Sequence, residues 1–164
     1  MIEHSFKFQI FEFKLPFDDE FYNFVKNHPL EDYEYNSNSY FNSEENKQSL
    51  IDKVKPYIDP IAKQLNVTFS QAWIQKYKKD HFHDLHTHGT GELMSFVWYI
   101  DCTKNSAKTV FHNPGYPYID THCLMVYPEK GKLIVFDGSI PHFVLPNRDD
   151  KRLIISGNLK KWLK

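Results

Sequence analysis

KLIVFDGSIPHFVLPNRDDKRLIISGN, residues 132–158, contains three short β-type runs broken by two turns. KLIVF is apolar without interruption, the mark of a buried strand. Asp137-Gly138 and the stretch Pro146–Asp150 carry the turn chemistry that separates the runs. Four similar runs precede this one: VTFSQAWIQKY (67–77), ELMSFVWYI (92–100), KTVFHN (108–113) and DTHCLMVYP (120–128). Gly89–Gly91, Asn113-Pro114-Gly115 and Glu129-Lys130-Gly131 punctuate them.

Upstream of Asn66 the texture is different. Ser5–Leu15 alternates with a phase shift, which predicts a strand with a bulge or two short strands. Pro16 ends it, and Asp18-Asp19-Glu20 forms an acidic start for a helix running to about Asn27. Residues 30–42 read as a polar loop dotted with aromatics. Ser43 is then expected to cap a helix with Leu50, Val54, Ile58, Ile61 and Leu65 on one face, kinked or split at Pro56 and Pro60. Helices followed by many short strands predict a mainly β fold of the double-stranded β-helix type, a jelly-roll, cupin-like barrel. We expect a single domain over residues 1–164, with residues 1–65 as supporting strand and helices and 66–160 as the jelly-roll core.

Composition narrows the function. The chain of 164 residues has a net charge of −1, split between −6 over residues 1–60 and +5 over 61–164. That basic excess is too small for a dedicated nucleic-acid binder and suits an anionic small molecule. No apolar run approaches the roughly 20 residues needed to cross a bilayer, and the start MIEHSFKFQIFEF has no signal-peptide character. A cytoplasmic protein is expected. Cys102 and Cys123 read as two thiols rather than a disulfide framework. Oligomeric state is not readable.

Nine histidines are present, four of them within His81–His88, and only two Arg stand against 18 Lys. On a regular strand Asp84, His86 and His88 share one face, and His81 and His83 the other. Imidazoles at i and i+2 can chelate one cation, although a His-rich strand end at the surface is the bland alternative. His142 opens a strand after a tight turn, and Arg152 heads the next run ten residues on. A regular hairpin about residues 146–150 would aim both inward. A metal-binding His beside an inward Arg makes a site for a carboxylate that also reaches the metal, because the guanidinium fork binds carboxylate bidentately.

In order along residues 67–159 stand Trp73, Tyr77, His86-Thr87-His88, Ser95, Tyr99, Phe111-His112-Asn113-Pro114, Gly131 with its apolar strand, His142, Arg152 and Ile155-Ser156-Gly157-Asn158. This series resembles the 2-oxoglutarate/Fe(II)-dependent oxygenase superfamily, and within it the small prolyl-hydroxylase-like proteins of bacteria and phages. The resemblance implies Fe(II) on His86, His88 and His142, with 2-oxoglutarate chelating the metal and its far carboxylate on Arg152. It implies a hydroxylase acting on a peptide side chain, an amino acid or a small metabolite, with release of succinate and CO2. Two positions depart from the pattern. His88 stands where most relatives have Asp, and Ile154 where many have a Ser that shares the carboxylate with the Arg. Tyr77, Tyr99 or Ser156 is expected to replace that hydroxyl; Asp84 is expected either to complete the metal site itself or, like Asn158, to support the metal ligands.

The His88 substitution leaves two rivals open: a three-His cupin dioxygenase that does not use 2-oxoglutarate, and a non-catalytic cupin-like metal-binding module. A nucleic-acid demethylase of the superfamily would carry a second Arg six residues after the first, where this chain has Asn158.

Overall fold

A computed structural model describes residues 9–33, 39–42, 46–88, 94–113, 115–117 and 122–161. Among them lie eleven strands: β1 (Ile10–Lys14), β2 (Leu30–Tyr33), β3 (Ser39–Asn42), β4 (Val67–Tyr77), β5 (His83–His86), β6 (Met94–Cys102), β7 (Thr109–His112), β8 (Cys123–Val126), β9 (Lys132–Asp137), β10 (His142–Val144) and β11 (Arg152–Lys161). Two helices, α1 (Asp19–Asn27) and α2 (Lys47–Gln64), precede β4. The strands form a seven-stranded sheet, β1-β9-β6-β11-β4-β3-β2, and a four-stranded sheet, β5-β10-β7-β8. From β4 onward successive strands alternate between sheets, apart from the hairpin β7–β8, and every recorded pairing is antiparallel. That is the jelly-roll arrangement.

The large sheet is covered on both faces, which explains its uninterrupted apolar runs. Phe96, Trp98, Ile100, Leu133, Val135, Leu153 and Ile155 pack on one side against Phe21 and Val25 of α1 and Leu50, Val54 and Ile58 of α2. Their alternate neighbours Val97, Tyr99, Ile134, Phe136 and Ile154 pack on the other side with Phe111 and Val144 of the small sheet. One strand therefore feeds two cores by its period of two.

α1 begins as its sequence predicts: the Asp18 carboxylate accepts from the Phe21 amide at 2.8 Å, and Asp19 and Glu20 occupy the first turn. α2 differs from expectation. Ser43 lies outside the described residues, and the N-cap position is Asn46. Pro56 and Pro60 sit inside one continuous helix rather than splitting it. Both are on its exposed face, where the carbonyls they leave unbonded can turn to water. The expected loop 30–42 contains β2 and β3, which extend the large sheet beyond β4. Of the N-terminal strand, β1 is described and pairs with β9. Gly131 takes φ +82° at the turn entering β9, a left-handed conformation that favours glycine. Cys102 and Cys123 are free thiols, and no helix among the described residues is long and apolar enough to cross a membrane.

Candidate metal centre

β5 and β10 lie side by side in the small sheet with His86 opposite His142, so both imidazoles leave the same face. His88 follows two residues after His86, and its amide donates to the Gly138 carbonyl at 2.8 Å, tying this segment to the turn after β9. The three rings converge. His86 and His142 have centroids 4.2 Å apart, His88 stacks parallel on His142 at 5.2 Å, and one nitrogen from each lies within 4.8 Å of the others.

Two of the tautomers are fixed by backbone carbonyls, which can only accept. His142 Nδ1–H donates to the Ile140 carbonyl at 2.9 Å, and His86 Nδ1–H to the Asp84 carbonyl at 2.7 Å. Each therefore keeps a lone pair on Nε2, the atom that binds a metal. His88 Nε2 approaches His142 Nε2 to 3.4 Å. Burial, reinforced by the charge His86 would carry, holds the pKa of His142 down at about 3 and that of His88 at about 4. Burial also lowers that of His86. Near pH 7 all three are neutral nitrogen donors, which suits a divalent cation.

The strand does not alternate regularly as predicted. His142 pairs with His86 but Val144 pairs with His83, so Asp84 and Leu85 of β5 together face Phe143 of β10. This bulge puts both Asp84 and Leu85 outward and brings His83 inward beside His86, with stacked rings 4.2 Å apart. Asp84 is thus exposed, meeting His86 through its carbonyl and, more weakly, through the charge of its carboxylate, and His83 stands on the same side as the cluster. Burial, then the charges of His86 and Arg152, keep the His83 pKa at about 3.

Arg152 opens β11 in the large sheet, opposite Tyr77 of β4 and Cys102 of β6. β10 belongs to the other sheet, so the segment after it crosses between sheets and is not the hairpin that equal parity predicted. Asn147 pins this crossing: its carbonyl accepts from the Asp80 amide, its amide donates to the His81 carbonyl, and its side-chain oxygen accepts from the Ala107 amide. Both His142 and Arg152 still face the space between the sheets, His142 from the small one and Arg152 from the large.

Only 1% of Arg152 is exposed. Its Nε donates to the Ala107 carbonyl at 3.0 Å and its Nη2 to Thr109 Oγ1 at 3.2 Å, while the guanidinium lies 4.3 Å from the Tyr77 ring centre. Nη1 is buried and has no partner. Among the described residues no carboxylate forms an ion pair with it. A buried cation with one donor unused is the complement of an anionic ligand.

A cavity between the sheets joins the histidines to Arg152; Trp73, Gln75, Tyr77, Thr109 and Ser156 help to line it. The Tyr99 hydroxyl is hydrogen-bonded to Thr109 Oγ1 at 2.7 Å, so Tyr99 supports Arg152 through Thr109. Ser156 Oγ donates to Gln75 Oε1 at 3.1 Å. Asn158 accepts from Ser95 Oγ at 2.9 Å and hydrogen-bonds His88. Gln75 escaped the sequence reading, although its spacing two residues from Trp73 and Tyr77 puts a polar group on the inward face. Thr109 left no such signal.

A family model described as "Putative 2OG-Fe(II) oxygenase" matches residues 71–158. The chain belongs to that family. Its cofactors are accordingly Fe(II) and 2-oxoglutarate, and it is an oxygenase. The search of curated proteins gives no match. Among solved structures, an oxidoreductase of the 2OG-Fe(II) oxygenase family from Burkholderia pseudomallei aligns at TM-score 0.67 and 14% identity, over 84% of this chain and 76% of the other. A prolyl-4-hydroxylase from Pseudomonas putida aligns at 0.61 and 16%, over 93% and 92%. A viral collagen prolyl hydroxylase from Paramecium Bursaria Chlorella virus-1, solved as its 2OG complex, aligns at 0.64 and 15%, over 93% and 96%. These likenesses share the fold. The order of strands and the inter-sheet cavity give this family member its site.

Proposed function

We propose that this oxygenase holds Fe(II) on His86, His88 and His142, anchors the far carboxylate of 2-oxoglutarate on Arg152, and hydroxylates a C–H bond of a peptide or small molecule. The observation that carries the reading is the placement of three neutral imidazoles and an unpaired buried guanidinium around one cavity, from opposite sheets. The donor set fits the metal, because the tautomers of His86 and His142 are already those of ligands. The guanidinium fits the diacid, because Nη1 lacks the acceptor that a carboxylate would supply.

Bound Fe(II) supplies the redox chemistry: 2-oxoglutarate, O2 and a substrate C–H give succinate, CO2 and a C–OH. The protein contributes position and dryness. The carbonyls of Ile140 and Asp84 lock two ligand rings, and Asn158 holds His88. Thr109 and the Ala107 carbonyl aim the guanidinium, and the walls of Val97, Phe136, Val144 and Ile154 keep bulk water from the cavity. The prolyl hydroxylases among the structural neighbours make a peptide side chain the first substrate class to try.

The test has two arms. Replacing His86, His88 or His142 by Ala should each abolish binding of Mn(II) or Ni(II), measured by calorimetry, while His81→Ala should not. Mass spectrometry should detect succinate made in step with a +16 Da product from a peptide or amino-acid pool. Metal retained by all three Ala variants would refute the ligand set.

A further inference from the structure

Two hydroxyls stand beside the buried guanidinium of Arg152, and their protons can be counted. Tyr99 is fully buried and Thr109 is 1% exposed. Their oxygens lie 2.7 Å apart in a hydrogen bond. Thr109 Oγ1 also accepts from Arg152 Nη2 at 3.2 Å. One proton lies between the two oxygens, so of the two hydroxyl protons one is left over. Among the described residues no acceptor takes it.

Chemistry and position decide which residue keeps that proton. The phenol is the more acidic hydroxyl and so the better donor. Arg152 also faces the Tyr99 oxygen. A guanidinium only donates, so it turns the phenol's lone pairs toward itself and leaves the phenol's proton for Thr109. Thr109 lines the cavity, and Tyr99 does not. The Thr109 oxygen therefore accepts twice, from the phenol and from Nη2, and both of its acceptor positions are filled. An ordinary Thr hydroxyl can rotate to donate or to accept. This one is left with donation alone.

We infer that Thr109, locked as a donor by Tyr99 and Arg152, binds the far carboxylate of the co-substrate and selects an acid over an uncharged amide. It donates alongside Arg152 Nη1, which is buried without a partner. Two donors meet the two oxygens of a carboxylate. A carboxamide of the same shape would set its NH2 against one of them, donor facing donor, and leave both unpaired. Thr109 thus supplies, from β7, the hydroxyl that Ile154 of β11 does not offer. The inference rests on the co-substrate reading of Arg152 and adds to it a residue and a direction of donation.

Anaerobic calorimetric titration of the Mn(II)-loaded full chain tests it, with Mn(II) affinity measured in parallel. The probes are 2-oxoglutarate, N-oxalylglycine, in which an NH replaces one methylene of 2-oxoglutarate, and N-oxalylglycinamide, whose far end is a carboxamide. Thr109→Val keeps the shape of the side chain and loses the hydroxyl. It should weaken 2-oxoglutarate about ten- to a hundredfold, the range for a hydrogen bond to an ionised group, and leave Mn(II) affinity within about twofold. Thr109→Ser should recover most of the loss. In an Arg152→Met background Thr109→Val should weaken 2-oxoglutarate further, which a role exerted only through Arg152 would not produce. Tyr99→Phe frees an acceptor position on Thr109. N-oxalylglycinamide should then bind about two- to tenfold tighter than to wild type, the range for one neutral hydrogen bond, with N-oxalylglycine within about threefold. Mere loosening of the site would weaken both. Unchanged 2-oxoglutarate affinity in Thr109→Val, or no added effect in the Arg152→Met background, would overturn the carboxylate contact. N-oxalylglycinamide binding no tighter to Tyr99→Phe would overturn the locked direction of donation. Absence of 2-oxoglutarate binding by the wild type would overturn the co-substrate reading, and this inference with it.

Discussion

Replacing Arg152 by Met removes the buried charge and nearly preserves the length of the side chain. In the ligand-free protein two effects oppose each other. The variant loses the bonds from Nε to the Ala107 carbonyl and from Nη2 to Thr109, at about 1.5–3 kcal/mol each for a charged donor. It also escapes the cost of holding a cation, with Nη1 unpartnered, in a site that is 1% exposed, which is several kcal/mol per ion. The terms are of similar size, so the ligand-free melting temperature should move by only a few degrees. The response to ligand should be very different. Wild type with Mn(II) and 2-oxoglutarate at a hundred times its Kd gains about 2.7 kcal/mol by mass action, or about 5–11 °C at 2–4 °C per kcal/mol for a chain of this size. The Met variant should lose nearly all of that shift yet keep the shift given by Mn(II) alone. Arg152→Lys should fall between, retaining the charge without the fork. Differential scanning fluorimetry over a 2-oxoglutarate series measures all of it. A Met variant that still shows the wild-type 2-oxoglutarate shift would show that Arg152 does not bind the diacid, and would favour a dioxygenase whose Arg serves another acid group.

Three further outcomes are expected. His88→Asp keeps the backbone of that segment and installs the ligand most relatives carry, so it should bind Mn(II) and turn over at a measurable rate; loss of both in a folded variant would mean that the second ring is required. Gly157→Ala should lower stability by about 1–3 kcal/mol or prevent folding, because the new Cβ would collide with the Gln71 carbonyl and the Phe96 ring. A wild-type melting temperature in that variant would refute the close packing of β11 on β4 and β6. Pro56→Ala restores an amide to the exposed face of α2 and should raise the melting temperature by several degrees, since an interior helix Pro costs about 3 kcal/mol against under 1 kcal/mol returned by the freer unfolded chain. A fall in melting temperature would count against that account.

The parts of this fold legible in the sequence were those whose cause is local. KLIVFD became β9 at the predicted residues because apolar continuity and flanking turns specify a covered strand, and VTFSQAWIQKY became β4 from its β-type residues. The acidic start of α1 at Asp18-Asp19-Glu20 was legible because its cause is equally local. Features set by distant partners were not. β2 and β3 lie in a polar stretch, and pairing of β3 with β4 and of β2 with β3 makes strands of residues that composition assigned to a loop. The bulge that turns His83 inward depends on how β5 meets β10, and alternation alone sends that residue outward.

His142 and Arg152 show how two residues can meet in one cavity by a geometry other than the predicted one. Parity across a hairpin predicted that His142 and Arg152 face one cavity, and they do, but they come from different sheets. His142 looks inward from the small sheet and Arg152 inward from the large one, with Asn147 and its three hydrogen bonds to backbone groups holding the crossing between them. The arrangement has a physical consequence. A diacid held as proposed, at one end by a metal on the small-sheet histidines and at the other by the guanidinium on the large sheet, would bridge the two. The spacing of the grips is then set by the packing of Ile134, Phe136 and Ile154 against Phe111 and Val144. Close-packed interiors resist changes of even a methylene, so this core serves as the gauge of the site, and the length of acid that fits is a property of the fold as much as of the residues that touch it.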